Sequence, residues 1–371
     1  MAQPTSKRLV SIDIVRGIAM LLMIFRHSSM FIPDLHYGVE FGWGPSGGDV
    51  FSIDTSSWLG LLGGSVIFFL MAGYSIALFE NSRRKRSWSE WQITRYFLIR
   101  GLVLIAIDWL LLPWDFKAPY YNPNRYFVLF GIGLCLWVIS VLRFFPLKQL
   151  VFIAIIITVS VQCLYFFTHI PDDSNLIRTT LLYPSPADPF NIGYPLFGWL
   201  PVMLLGYITS RYLINHPEQF SDLTLKLTLL FTVMWLMVTW IGTLGILHPN
   251  HPYPNHPLIM TKHPPSLAYL SFGLILSHFL LYLFQTSDSL QSSWVGNKLS
   301  LLGQTAFFFY VIHLYLLRLV SFVFNHFVIL PISGVTLSIV VILITLFISY
   351  PVCLRYRHIR KIYYNSFLQY L

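Results

Sequence analysis

The chain has 371 residues, of which 56% are hydrophobic and only 11% charged, against roughly 25% charged in an average soluble domain. That much apolar surface excludes a soluble globule. The formal net charge of +9 is no sign of nucleic-acid binding, because much of it falls in connections between apolar segments, where membrane topology alone puts it.

In chain order, the sequence predicts an all-α polytopic membrane bundle of about ten helices. Its spans fall at 9–31, 57–79, 92–112, 126–143, 149–168, 194–213, 224–247, 266–285, 300–324 and 328–352, each near the ~20 residues that cross hydrocarbon. No soluble domain fits between them, so residues 1–371 are expected to form one transmembrane domain. The polar opening and the length of the first segment predict a retained anchor rather than a cleaved signal peptide. Cys135, Cys163 and Cys353 lie in or beside apolar segments and imply no disulfide framework.

The first span, SIDIVRGIAMLLMIFRHS, carries Asp13, Arg16 and His27, and an unpaired ionisable group in lipid costs several kcal/mol. Asp13 and Arg16 are three residues apart and can pair on one helix face. His27 follows Arg16 on nearly the same stripe, at a rise of about 16 Å. The alternative is structural, with the ion pair locking helix packing and His27 ending the span. His36 follows in the loop PDLHYG.

The second span leads into Arg83, Arg84, Lys85 and Arg86, and the third contains Arg95, Arg100 and Asp108. Arg143 and Lys148 follow the fourth span. His248, His251, His256 and His263 lie in a proline-rich loop, where alternating prolines and the lack of acidic or cysteine partners predict a rigid roof rather than a metal site. His278 reads as a packing residue. The ninth span, GQTAFFFYVIHLYLLRLV, carries Tyr310, His313 and Arg318. Polar positions on three spans cannot all face lipid and are expected to converge inside the bundle. Lys7, Arg8, the 83–86 run, Arg143, Lys148, Arg355, Arg357, Arg360 and Lys361 all fall on one side of a ten-span arrangement, which predicts cytoplasmic termini.

Six segments taken in order resemble membrane acetyltransferases. They are RLVSIDIVRGIAMLLMIFRHS, GGSVIFFLMAGYSIALF, ITRYFLIRGLVLI, YPLFGWLPVMLLGY, TKHPPSLAYLSFGLIL and GQTAFFFYVIHLYLL. Together they span residues 8 to about 320 and are similar to bacterial members of the family related to heparan-alpha-glucosaminide N-acetyltransferase. The resemblance implies an inner-membrane enzyme that takes acetyl from cytoplasmic acetyl-CoA and passes it to an acceptor on the other side. The expected acceptor is an amino or hydroxyl group of a sugar or envelope glycan. Membrane lipids are the other expected partners, a homo-oligomer is compatible, and no metal or nucleic acid is expected.

Acetyl transfer needs a group that takes the acceptor's proton or attacks the thioester itself, and neutral imidazole does either. The resemblance and the residues point to His27, with His36 the alternative because the lysosomal enzyme places its active histidine in the following loop. Asp13, Arg16 and His313 complete the expected catalytic set. Arg83, Arg84, Arg95 and Arg100 form the expected route for the coenzyme's phosphates. The rival reading is a secondary transporter, since prolines at Pro195, Pro201, Pro264 and Pro265 suit broken helices around a solute.

Overall fold

The computed structural model describes residues 9–28, 64–111, 125–167, 175–183, 191–243, 262, 264–327 and 334–363. These form an all-α, polytopic bundle whose only strands among the described residues are two short pieces. The helices are α1 (Val10–Ser28), α2 (Ser65–Arg84), α3 (Glu90–Leu111), α4 (Val128–Leu142), α5 (Leu147–Phe167), α6 (Leu176–Leu181), α7 (Leu196–Asn215), α8 (Phe220–Thr243), α9 (Leu267–Thr286), α10 (Asp288–Ser292), α11 (Trp294–Gln304), α12 (Ala306–Phe327) and α13 (Gly334–Ile362). The strands β1 (Arg125–Tyr126) and β2 (Asn191–Ile192) pair in parallel.

A helix lies over each of the ten expected intervals. Among the described residues, six helices are long and apolar enough to cross a membrane, namely α2, α5, α8, α9, α12 and α13, and α4 is a shorter apolar candidate. α2 is described from Ser65, with Gly64 before it, and residues 57–63 of the second interval lie outside the described residues. One boundary differs from expectation. The ninth interval breaks at Thr305, so that Ser300–Gln304 belong to α11, a helix the apolar pattern did not separate.

Where α5 and α8 carry their apolar side chains outward, α2 and α7 bury theirs. Phe152, Ile155 and Val159 of α5 and Leu229, Val233 and Trp240 of α8 are exposed, as side chains facing lipid are. α8 satisfies its hydroxyls within itself: Thr224, Thr228 and Thr239 each donate to the carbonyl four residues earlier, at 2.8 Å. In lipid, hydrophobicity does not drive helices together, so close backbone approach must. A Cβ on Gly73 would strike the Met203 carbonyl, and one on Gly206 the Leu70 carbonyl, so these two glycines let α2 and α7 cross in backbone contact. Gly17 and Gly303 do the same for α1 and α11, against the Leu299 and Asp13 carbonyls respectively. Gly17 of the Arg-Gly pair is therefore a packing requirement.

Candidate active site

His27 and His313 meet near the end of the bundle where α1 finishes. His27 Nδ1 lies 2.8 Å from His313 Nε2, although 286 residues separate them. Their ring centroids are 5.2 Å apart and their planes within 16°, which is an edge-to-edge hydrogen bond between nearly coplanar rings rather than a face stack. His313 is fully buried and its Nδ1 lies 3.1 Å from the Phe309 carbonyl of its own helix.

Those two contacts fix the protons. A carbonyl can only accept, so His313 Nδ1 carries hydrogen and its Nε2 presents a lone pair. His27 Nδ1 then donates to that lone pair, and the second lone pair of the couple sits on His27 Nε2. Backbone, one histidine and the next thus orient the half-buried His27 ring and set its tautomer.

Other polar groups gather around Tyr310, one turn before His313. The Tyr310 ring lies 5.7 Å from that of His313 and edge-on to Phe68 at 6.5 Å. Asp108 and Tyr194 are within its electrostatic reach. The Tyr194 hydroxyl is 3.1 Å from Ser65 Oγ. Its ring packs against Phe69 and Trp199, with the Lys262 ammonium 5.2 Å from its centroid. Asp108 has a local structural task as well, accepting from the amides of Phe127 and Phe130 at 2.8 Å each. This caps the otherwise unpaired N–H groups at the start of α4.

Asp13 and Arg16 do pair, at 3.4 Å, and Arg16 also reaches the Met71 carbonyl of α2 at 3.4 Å. They tie α1 to α2 and lie well away from the His27 ring along α1. The expected donor residues divide. Arg84 is paired with Glu80 at 2.7 Å and Glu90 at 2.9 Å. Arg83 lies over the rings of Phe79 and Trp88, at 4.7 and 4.5 Å. Arg95 is on the exposed face of α3, whereas Arg100 turns partly inward and donates to the Tyr96 hydroxyl at 3.0 Å. His36 and the histidines of the proline-rich loop lie outside the described residues. His278 packs on Phe231 and bonds the Leu274 carbonyl at 2.8 Å, as a core residue does. No cluster of metal-ligating side chains occurs among the described residues.

One polar centre was not foreseen. Arg143, expected in a solvated connection, has a fully buried guanidinium. It donates to Glu80 at 3.0 Å, to Thr94 at 2.9 Å, to the Glu90 carbonyl at 2.9 Å and to the Glu90 carboxylate. Tyr207 of α7 donates to the other Glu80 oxygen at 2.7 Å. The cluster thereby joins α2, α3, α4 and α7. Glu80, at the end of an apolar run, was its one sequence signal.

The catalytic-family profile of heparan-alpha-glucosaminide N-acetyltransferase matches residues 8–246, more than half of the chain. The chain belongs to that family. Among curated proteins none matches it. Family membership makes the chain a membrane transferase of the acyltransferase type, and its matched region holds His27, Arg16, Asp13 and the basic residues of α2 and α3. His313 lies beyond the matched region.

Proposed function

We propose that this chain is a transmembrane acetyltransferase that passes acetyl from cytoplasmic acetyl-CoA to an amino or hydroxyl group of a sugar or envelope glycan. The observation that carries this reading is the His27–His313 pair, in which two hydrogen bonds leave the basic lone pair on His27 Nε2. The proposed topology has ten spans with both termini in the cytoplasm of a bacterial inner membrane, which puts the pair toward the outer face. His27 and His313 are the catalytic couple; Asp13 and Arg16 hold the helices around it.

In the proposed step, His27 Nε2 takes the proton of the acceptor hydroxyl or amine as that atom attacks the thioester carbonyl. A carbon–oxygen or carbon–nitrogen bond forms and the carbon–sulfur bond breaks. The proton returns from His27 to the departing coenzyme A thiolate. His313 steadies the imidazolium that exists in between.

The test is transfer of labelled acetyl from acetyl-CoA in membrane vesicles. His27→Gln is expected to be expressed and to bind acetyl-CoA, while losing transfer by roughly a hundredfold or more, as removal of a general base does. Normal transfer by that variant, with His36→Gln inactive, would move the centre into the first loop.

A further inference from the structure

Arg95 and Arg100 read alike on the sequence, as two cations within one apolar run, yet the helix separates them. Five residues at 3.6 per turn set the two side chains about 140° apart around α3. Arg100 is half-buried, on the side where Ile93, Phe97, Leu104 and Asp108 are buried, and Arg95 stands exposed on the other side. Trp91, Leu98, Leu102 and Trp109 are exposed with it. Counted from Trp91, the helical repeat places all five residues in a stripe about 60° wide.

In a membrane protein an exposed apolar stripe faces lipid, and this one has the length of the bilayer interior. Trp91 and Trp109 stand ~27 Å apart along α3, close to the ~30 Å of hydrocarbon, and tryptophan concentrates at both boundaries of that layer. α3 is not among the six helices apolar enough by composition to cross a membrane. Its burial pattern explains why it can do so: between the two tryptophans Arg100 and Asp108 are turned inward, and Arg95 is the charge left on the outer stripe. Arg95 lies ~6 Å inside the level of Trp91. A guanidinium in hydrocarbon is costly, and at this depth its methylene stem carries it back to the headgroups. That end is also positive. Lys85 and Arg86 are exposed in the connection just before α3, whereas the nearby acid, Glu90, is tied to Arg84 and Arg143.

We infer that Arg95, with Trp91 at the same boundary, binds the phosphate of an anionic phospholipid in the leaflet that faces the basic connections, and so belongs to the lipid boundary rather than to a route for the donor. Guanidinium and phosphate pair through two parallel hydrogen bonds, and each basic residue beside an anionic leaflet adds attraction that a zwitterionic lipid does not supply. A lipid held there fixes the depth of α3, whose inner side carries Arg100 and the Asp108 carboxylate that caps α4. The site needs only the membrane setting and is independent of the acetyl-transfer chemistry.

The experiment measures binding of phosphatidylglycerol and of phosphatidylcholine to the purified full chain in mild detergent, with coenzyme A binding in parallel and thermal stability as the control for folding. The wild-type chain should bind phosphatidylglycerol the more tightly. Arg95→Gln should weaken that binding by about fivefold, the scale of one basic residue at an anionic surface, and leave phosphatidylcholine and coenzyme A nearly unchanged. Arg95→Lys should keep most of the affinity, and Lys226→Gln, whose ammonium is paired with Asp222 at 2.7 Å, should bind as wild type. A folded Arg95→Gln with wild-type phosphatidylglycerol affinity would overturn the site. So would equal losses for both lipids, which would remove its charge selectivity. A loss of coenzyme A affinity with lipid binding intact would return Arg95 to the donor route, and a change of subunit number with lipid binding intact would assign the stripe to contact between copies of the chain; either result sinks the lipid site. Trp91→Leu, at a position too exposed to endanger folding, is the second variant and should also weaken phosphatidylglycerol binding. Unchanged binding there would remove the site even if Arg95→Gln could not be purified.

Discussion

Two sets of buried or half-buried arginines stand at the same end of the bundle, and they are built in opposite ways. Arg143 is fully buried and surrounded by acceptors, two of them the carboxylates of Glu80 and Glu90. Among the described residues, Arg100 and Arg357 meet a phenol and an amide and no carboxylate. A guanidinium is costly to remove from water, and the cost is offset only when acid and hydrogen-bond partners surround it. The first set is therefore neutralised within the fold, whereas the described partners of the second are neutral oxygens. Equal charge on the sequence thus separates into a closed ion cluster and a pair held by neutral groups once the partners are known, and variants in the two sets should fail differently.

The largest effect is expected at the closed cluster. Arg143→Ala leaves the buried Glu80 carboxylate and Glu90 with the solvent-exposed Arg84 as their described cation, and the chain should lose about 3–5 kcal/mol of stability, the usual result of breaking a buried pair from one side. Denaturation in mild detergent measures this, and an unchanged midpoint would show that the cluster is not what joins α2, α3, α4 and α7. Tyr207→Phe removes one hydrogen bond to the Glu80 carboxylate from the same cluster and should cost about 1.5–3 kcal/mol. Neither variant should alter coenzyme A affinity in the protein that remains folded. A selective loss of affinity would blur the division between the two sets.

His313 tests the same division at the other end. It does not carry the reacting lone pair, and His313→Gln should lower kcat by about tenfold to a hundredfold, at or below the lower end of general-base effects, with KM for acetyl-CoA unchanged. A residue that merely packs would change stability and leave the pH dependence of kcat alone. A positioning residue shifts that profile, because His27 loses the partner that steadies its protonated form.

Much of the fold was legible because apolar length dominates this sequence, and a helix lies over every interval so marked. The break at Thr305 was not, since α11 and α12 are both apolar enough to read as one run. At the site, Asp13 with Arg16 was readable from a three-residue spacing, which a helix converts directly into contact. The partnership of His27 with His313 was not, because no local spacing relates two residues brought together only by the packing of α1 against α12. The half-burial of Arg357 and Arg360 was hidden for another reason. Basic residues at that end satisfy topology whichever way they face, so charge alone cannot tell Arg355 from Arg357.

The smallest effect concerns Glu90, which stands at the exposed start of α3 yet belongs to the closed cluster. Its partial burial works to raise its carboxyl, but hydrogen bonds and charge from Arg84 and Arg143 outweigh that and hold it below the ordinary glutamate value. The sign follows from linkage: a group whose pKa is depressed on folding stabilises the fold above its unfolded value, about 4.3 for glutamate, and the contribution is lost as pH falls through the folded value. Melting temperature should therefore be flat near neutrality and decline in the acid range. Glu90→Gln should start slightly lower at neutral pH and show a shallower acid decline. Solvent reaches this side chain, so the difference should be modest and shrink in high salt. Identical acid profiles for the two proteins would mean that the Glu90 carboxylate contributes nothing to the cluster, leaving Glu80 as the acid that balances Arg143 and Thr94 and the Glu90 carbonyl as its ties to α3.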